Sequence, residues 1–424
     1  METLFYHLKK IIPKSVFRFF QPAYHYLLAV LGATFYRMPS KELIVIGVTG
    51  TKGKSSVTEI INAIFEADGK RTAVLSTIRF KIGDHSERNL RKMTIPGRFF
   101  VHKFLRDAAD AGCEIAILEM TSEGAKQFRH KFIDLDALVF TNLSPEHIES
   151  HGSYEKYVAA KLLLAKALAR SKKRPRVMVA NSDDAEGAKF LAMKVEKRIP
   201  YSLKDVERYH LNNDSVSIIA DGTTIRAPLV GLFNVYNMLA AIALTSAYGV
   251  PQKKIIYALE HLAPIRGRVE KIHSPEGAAK KVTAVVDYAH TPDSLEKLYQ
   301  AFPKEYKVCV LGNTGGGRDT WKRPPMGRIA EQYCDQIILT NEDPYDENPE
   351  KILREMRTGM SKDAPVETIL DRREAISTAL KNAPENAIVL ISGKGTDPFI
   401  MGPNNTKQPW DDAAVVREEM AKMA

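Results

Sequence analysis

Between residues 41 and 265, short apolar runs alternate with longer segments whose apolar positions recur at helical spacing. The runs at 43–48, 72–76, 114–120, 137–142 and 176–180 predict strands. Helices are predicted over 55–68, within 97–111, over 154–170 and over the Ala- and Leu-rich stretch 237–248. This rhythm predicts a parallel sheet covered by helices. The stretch 209–228 breaks it, with short alternating segments around Asp221-Gly222 that predict a hairpin. Pro264-Ile265-Arg266-Gly267-Arg268 reads as a linker, and a second α/β series follows. Its strands are predicted at 282–287, 306–312, 336–340 and 387–392, and its helices at 294–301, 325–334, 349–360 and 371–382. Each apolar strand ends in polar or glycine residues, where open α/β sheets place their ligands. No internal repeat or low-complexity segment interrupts the pattern.

The chain has 424 residues, 44% hydrophobic and 26% charged, as expected of a globular protein with two or three domains. Its formal charge is +10. Half of that excess falls in residues 1–41, where Lys9, Lys10, Lys14, Arg18, Arg37 and Lys41 stand against Glu2. The mildly basic remainder suits anionic substrates. No nucleic-acid recognition motif accompanies the charge, so no nucleic-acid partner is expected. Cys113, Cys309 and Cys334 lack metal-ligand spacing. Cys113 and Cys309 sit in apolar strand-like runs and read as packed thiols, which fits a cytoplasmic location. The N-terminus lacks the features of a secretory signal. Residues 17–35 are apolar and aromatic, but Arg18, Gln21, Pro22 and His25 interrupt them, so they make a poor membrane span. Two readings stand for this segment. It is a basic, aromatic helix pair packed on the body, or a peripheral contact with the anionic inner face of a membrane.

Candidate chemistry begins at Val45-Ile46-Gly47-Val48-Thr49-Gly50-Thr51-Lys52-Gly53-Lys54-Ser55-Ser56. An apolar strand leads into a Gly-rich turn, and Lys-Ser-Ser opens a helix. Such a turn aims backbone N–H groups at phosphate oxygens, aided by the helix N-terminus. Lys54 can reach the β/γ-phosphates and Ser55 can ligate Mg²⁺. Val48 stands where the generic P-loop has Gly. Glu119 ends an apolar strand, placed either to hold Mg²⁺ or as a solvated strand end. His147 follows another apolar strand in Thr141-Asn142-Leu143-Ser144-Pro145-Glu146-His147 and is a candidate metal ligand. Lys161, fourteen residues later, has small and apolar neighbours. It reads as a snorkelling surface lysine, or as a lysine of lowered pKa whose neutral amine takes up CO₂ as a carbamate. The fold class expected is α/β: a P-loop parallel-sheet ATPase domain over 41–266 and a Rossmann-like domain over 267–424, after a short basic segment at 1–40.

Together these motifs resemble one family, the Mur ligases, and within it the MurE type, which adds the third peptide residue to a peptidoglycan precursor. The matching stretches run in order from 47–56 through Met93-Thr94-Ile95-Pro96, Glu119-Met120-Thr121-Ser122, Gln127-Phe128-Arg129, 141–152 and 157–161. Asn181-Ser182-Asp183-Asp184, 231–237 and Gly267-Arg268-Val269-Glu270 follow. The C-terminal half adds 286–293, Gly315-Gly316-Gly317-Arg318-Asp319, Lys322-Arg323-Pro324, 326–330, Gly393-Lys394-Gly395 and Trp410-Asp411-Asp412. The resemblance implies ATP bound by Gly50, Thr51, Lys52, Gly53, Lys54, Ser55 and Ser56, with Asn234 and Asn237 on the adenosine side. Arg268, Asp287, Tyr288 and His290 would close over the nucleotide. Ser55 and Glu119 would hold one Mg²⁺, and His147 with carbamylated Lys161 a second. Lys54, Glu119, His147 and Lys161 are thus the implied catalytic set. Thr94, Ser122 and Arg129 would bind the acceptor peptide. The implied reaction is amide formation through an acyl phosphate, between a cell-wall precursor peptide and a free amino acid, by a monomeric cytoplasmic enzyme.

Two departures accompany the resemblance. MurE-type enzymes carry an N-terminal domain for the UDP-sugar, and here only about forty residues precede the P-loop strand, too few for one. At Glu342-Asp343-Pro344-Tyr345, diaminopimelate-adding enzymes have Asp-Asn-Pro-Arg, whose Arg pairs with the distal carboxylate; Tyr345 cannot. Gly393-Lys394-Gly395-Thr396-Asp397 is altered as well. Asp343, Asp346, Glu347 and Asp397 form an acidic neighbourhood suited to a cationic amine such as lysine, or a solvated loop. The rival expectations are a folylpolyglutamate-synthase-like ligase, a non-catalytic ATP-binding relative, and a basic P-loop ATPase acting on nucleic acid.

Overall fold

The computed structural model describes residues 14–146, 148–278, 280–317 and 319–423. It opens with one helix, α1 (Lys14–Phe35), and leads into β1 (Ile44–Thr49) and α2 (Lys54–Ala67). A partner for α1 in a helix pair would lie outside the described residues. The chain continues through β2 (Thr72–Leu75), β3 (Arg79–Ile82), β4 (His85–Arg88), α3 (Arg98–Asp110), β5 (Ile115–Met120), β6 (Ala137–Phe140), α4 (Tyr154–Arg170), β7 (Val177–Asn181) and β8 (Lys197–Tyr201). These eight strands form one sheet in the order β4-β3-β2-β5-β1-β6-β7-β8. Six are parallel, and β3 and β4 add an antiparallel edge.

The central strands β1, β2, β5, β6 and β7 are buried on both faces because they are largely apolar along their length, as parallel sheets require. Alternation still sorts the side chains. Ile46, Val48, Ile115 and Ile117 face a core shared with α2 and with α5 (Leu232–Ala247). Val45, Ala116, Leu118 and Met120 face the opposite core, against α3 and α4. Between them and the second unit lies an antiparallel trio, β9 (Arg208–Leu211), β10 (Val216–Ala220) and β11 (Thr223–Ala227). Asp221 and Gly222 turn the β10–β11 hairpin with φ of 49° and 67°, the left-handed pair such a two-residue turn demands.

After α6 (Gln252–Glu260) the second unit begins at β12 (Glu270–His273). β13 (Thr283–Val286), α7 (Pro292–Gln300), β14 (Lys307–Leu311), α8 (Arg323–Tyr333), β15 (Gln336–Leu339), α9 (Pro349–Arg357), β16 (Val366–Thr368), α10 (Arg372–Asn382) and β17 (Ile388–Ile391) follow. Their sheet runs β12-β13-β17-β14-β15-β16, parallel except for β12. β17 inserts between β13 and β14, and their C-terminal ends feed the loops at 287–291, 312–319 and 392–398. A hairpin, β18 (Phe399–Met401) with β19 (Lys407–Pro409), and α11 (Asp412–Ala421) complete the unit.

Three expectations need correction. Cys309 is not a free thiol: it forms a disulfide with Cys334, Cα atoms 6.1 Å apart, while Cys113 stays free and buried. The pairing arises because α8 folds back along β14, which spacing along the chain does not encode. Helix α5 starts at Leu232 rather than at 237, since the Asn234 carboxamide donates to the Val230 carbonyl at 2.8 Å and closes the first turn. Strand β4 was not among the expected elements, because its residues are exposed and polar and no apolar alternation announces it.

Candidate functional site

The C-terminal ends of β1, β5 and β6 open into a cleft of 1270 Å³, roofed by the loops of the second sheet. Its floor is the turn after β1. Gly50 and Gly53 have φ of 152° and 80°, and a Cβ on either would strike Thr141 or Asn237. The turn is fixed from outside: Thr51 N donates to the Asn142 carbonyl at 2.8 Å, and Lys52 N to the Asn142 side-chain oxygen at 2.9 Å. Thr51, Lys52, Gly53, Lys54, Ser55 and Ser56 all line the cleft.

One chain of hydrogen bonds crosses the floor. The Ser55 hydroxyl donates to Glu119 Oε2 at 3.0 Å, and Thr77 N donates to the same oxygen at 2.8 Å. The Thr77 and Thr94 hydroxyls are 2.8 Å apart. From the opposite wall, Arg268 Nη2 donates to Ser55 Oγ at 3.1 Å. Arg268, Ser55, Glu119, Thr77 and Thr94 are therefore one connected line from roof to floor.

Two lysines lie under this line. Lys54 Nζ donates to the Thr51 carbonyl at 2.9 Å, and Lys161 Nζ donates to the Gly50 carbonyl. Lys161 is 2% exposed, so it is no snorkelling surface lysine. Burial depresses its pKa well below the ordinary lysine value, and the Lys54 charge adds to that. Burial lowers Lys54 too, against the opposing pull of Glu119 and Glu146. A neutral buried amine is the form that reacts with CO₂. Among the described residues no group of three or more His, Cys, Asp and Glu clusters as a metal site. The floor offers instead the Ser55 hydroxyl and the Glu119 carboxylate. That donor set fits Mg²⁺ shared with phosphate oxygens and water. His147 lies outside the described residues.

The roof brings in Asp287, Tyr288 and His290 beyond β13. Asp287 accepts from Val269 N at 2.8 Å and Ala289 N at 2.7 Å, and burial raises its pKa against the nearby Arg268. The Arg268 guanidinium stacks 4.9 Å from the Tyr288 ring centre. His290 Nε2 lies 3.1 Å from Glu146 Oε1, which also pairs with Lys52 at 3.0 Å. Burial and then the Lys52 charge lower the His290 pKa, and Glu146 opposes them. Asn237 donates to Asn234 at 2.8 Å, and both line the cleft.

The predicted acceptor residues divide. Thr94 lines the cleft. Ser122 and Arg129 are not among its lining residues. The Ser122 hydroxyl lies 3.2 Å from His151 Nε2. Arg129 donates to the Ile95 carbonyl and, at 2.7 Å, to Gln127 Oε1, so it braces the 93–96 segment from behind.

The acidic neighbourhood is also rearranged. Asp343 and Asp397 are bridged by Lys394, at 2.8 and 3.2 Å, and by Lys92, at 2.6 and 3.0 Å. Two carboxylates thus meet two ammonium groups, and the expected excess of negative charge is absent while Lys92 stays. Glu347 is committed to Arg323 at 2.8 Å, and Asp346 accepts from Asn404 N at 2.6 Å. Gly393, at φ 105°, lies over Glu342, leaving no room for a Cβ. Tyr345 places its ring centre 5.7 Å from Lys92 Nζ. Sequence reasoning missed Lys92, which arrives from the other unit with φ 51° and no motif of its own.

Comparison with known proteins gives concordant findings. The Mur ligase middle domain matches residues 48–245, and the Mur ligase glutamate ligase domain matches 267–395. The UDP-N-acetylmuramoyl-L-alanyl-D-glutamate--2,6-diaminopimelate ligase of Geobacillus kaustophilus is 36% identical over 407 residues, 92% of this chain and 81% of that protein. A solved structure of a ligase with that same name aligns at 29% identity with TM-score 0.60, over 90% of this chain and 78% of the other. Mycobacterium tuberculosis folylpolyglutamate synthase, solved with ADP, aligns with TM-score 0.68 over 88% and 92% but at 17% identity, a likeness of fold.

Proposed function

Because this chain belongs to the Mur ligase family, and is thereby an ATP-dependent carbon–nitrogen ligase, we propose that it joins a free amino acid to a muramoyl-peptide cell-wall precursor. The observation that carries the reading is the hydrogen-bonded line from Arg268 through Ser55, Glu119 and Thr77 to Thr94. It joins the phosphate end of the cleft to the acceptor end and both to the roof. Residues 41–266 then form the ATPase unit and 267–424 the unit that closes over it, with 1–40 as a separate segment.

A carboxylate is a poor electrophile at neutral pH. Its oxygen attacks the γ-phosphorus of ATP, ADP leaves, and an acyl phosphate forms. The amine nitrogen then attacks the acyl carbon, and the tetrahedral intermediate collapses to an amide with loss of phosphate. Lys54 and the N–H groups of 50–55 offset charge on the transferring phosphoryl group. Ser55 and Glu119 would hold Mg²⁺, which supplies Lewis-acid stabilisation of the phosphate oxygens when bound. Lys161, neutral and buried, would add CO₂ with loss of one proton, and with His147 would hold a second Mg²⁺. The roof, latched by Arg268 and His290, keeps water from the acyl phosphate.

For the amino acid, Asp343 and Asp397 supply the amine-binding carboxylates. Tyr345 gives no bidentate partner to a distal carboxylate, which disfavours diaminopimelate. A cationic amino acid such as lysine would take the place of Lys92 between the two carboxylates.

The test is amino-acid-dependent phosphate release with ATP, Mg²⁺, bicarbonate and a muramoyl-dipeptide, with or without UDP. Release is expected with one amino acid and no release without acceptor. Release with folate in place of the muramoyl peptide would move the chain to the folylpolyglutamate reading.

A further inference from the structure

Helix α1 has no charged residue between Arg18 and Arg37. A helix on a protein surface ordinarily turns charges to water. Here Tyr24, Leu27, Leu31 and Phe35 are turned outward, 50, 55, 48 and 72% exposed. Spacings of three and four residues put them on one face. The other face is made of small residues. Ala29, Gly32 and Ala33 are buried, and Gly32 lets the helix approach α3 so closely that a Cβ there would lie 3.3 Å from the His102 ring. The small face docks the helix on the protein and leaves the large apolar face without a covering element among the described residues.

The apolar band continues past the helix. The Phe35 ring meets Tyr36 at 5.0 Å, and Tyr36 meets Phe99 at 6.4 Å. Tyr26 meets Phe128 at 6.3 Å and Phe132 at 5.4 Å. Phe128 is next in the chain to Arg129, whose guanidinium holds the Ile95 carbonyl beside Thr94. In the sequence, charge flanks these residues: Lys9, Lys10, Lys14 and Arg18 precede Tyr24, and Arg37 and Lys41 follow Phe35, with Glu2 the one acidic residue of 1–41.

We propose that the outer face of α1 lies in the plane of an anionic lipid surface, docking the protein there beside its acceptor segment. An in-plane helix buries its apolar face at the headgroup boundary while flanking cations bind anionic lipid. No described helix is long and apolar enough to cross a membrane, so α1 lies on the bilayer rather than through it. A second copy is the poorer occupant, because pairing two such faces brings two sets of like charges together. Membrane docking stands apart from the ligase chemistry; only the name acceptor segment rests on the proposed function.

The experiment is flotation of the full chain with vesicles of phosphatidylcholine alone or with about 30 mol% phosphatidylglycerol. Binding to the anionic vesicles is expected, weakened by about 0.5 M salt. The double variant Leu31→Glu, Phe35→Glu should lose about tenfold or more in binding. Its phosphate release with a soluble acceptor should stay unchanged, which shows that it is folded. Absence of flotation with anionic vesicles, or undiminished flotation of the double variant, would overturn the proposal. So would a solution dimer that the double variant dissolves, if neither form floats.

Discussion

The two ends of the cleft manage charge in opposite ways. At the phosphate end, the charges acting on Lys54 are Glu119 and Glu146 against Lys52 and Arg268, and Lys161 lies beneath with its pKa depressed by burial. Lys52, Lys54 and Arg268 face Glu119, Glu146 and Asp287 there, and the backbone turn is locked by Gly50, Gly53 and Asn142. At the end proposed for the amino acid, Asp343 and Asp397 are already matched by Lys92 and Lys394. On the proposed reading, the first end is a field of Lys54 and backbone N–H groups that receives an anion, and the second selects by exchanging one cation for another. The phosphate end would then govern rate, and the amino-acid end choice.

The largest effect should come from removing the field. Lys54→Ala should lower the phosphate-release rate about 10²- to 10³-fold, with little change in which amino acid is used. A variant that switched amino acids would break the division of labour.

Lys161→Met should cost about 10²-fold in rate. It also carries a pH signature. The native state binds Lys161's proton more weakly than the unfolded chain, so below 10.5 the unfolded chain holds more protons. Unfolding free energy therefore rises as pH climbs from the depressed value toward 10.5, and the charged form costs stability below that window. Denaturant titrations across alkaline pH should show a flatter rise in the Met variant.

At the other end, Tyr345→Arg should restore a bidentate partner for a distal carboxylate. It should raise kcat/KM for diaminopimelate relative to lysine about 10-fold or more, read by competition between labelled amino acids. The smallest effect is expected of Lys92→Ala. It leaves Asp343 and Asp397 with Lys394 alone, and should favour cationic over neutral amino acids about 2- to 5-fold in KM. A loss of rate instead would mean that Lys92 serves the closure of the roof.

Much of the frame was legible because burial imposes a pattern. The strands at 44–49, 115–120 and 388–391 are apolar on both faces and flanked by glycine or polar residues, so their type and place could be read directly. The glycine turn after β1 was legible for the same kind of reason, since its glycines, Lys54 and Ser55 fall within one short segment. The edge strand β4 was not, because an exposed polar strand depends on a neighbour rather than on its own alternation. Arg129 and Ser122 carried a motif, yet they bond to Ile95 and His151 and do not line the cleft. A motif fixes residue type and leaves direction open.

By itself, then, the sequence determined an α/β chain with a glycine turn after its first strand and the set of residues available to it, because those depend on local spacing and on burial. The tertiary structure alone decided that Lys92 neutralises Asp343 and Asp397, that Cys309 bonds to Cys334, and that Arg268 reaches Ser55. Arg268 and Ser55 are 213 positions apart in the chain. Only the packing of one sheet over the other brings such groups within hydrogen-bond reach, where distance rather than order sets their energy.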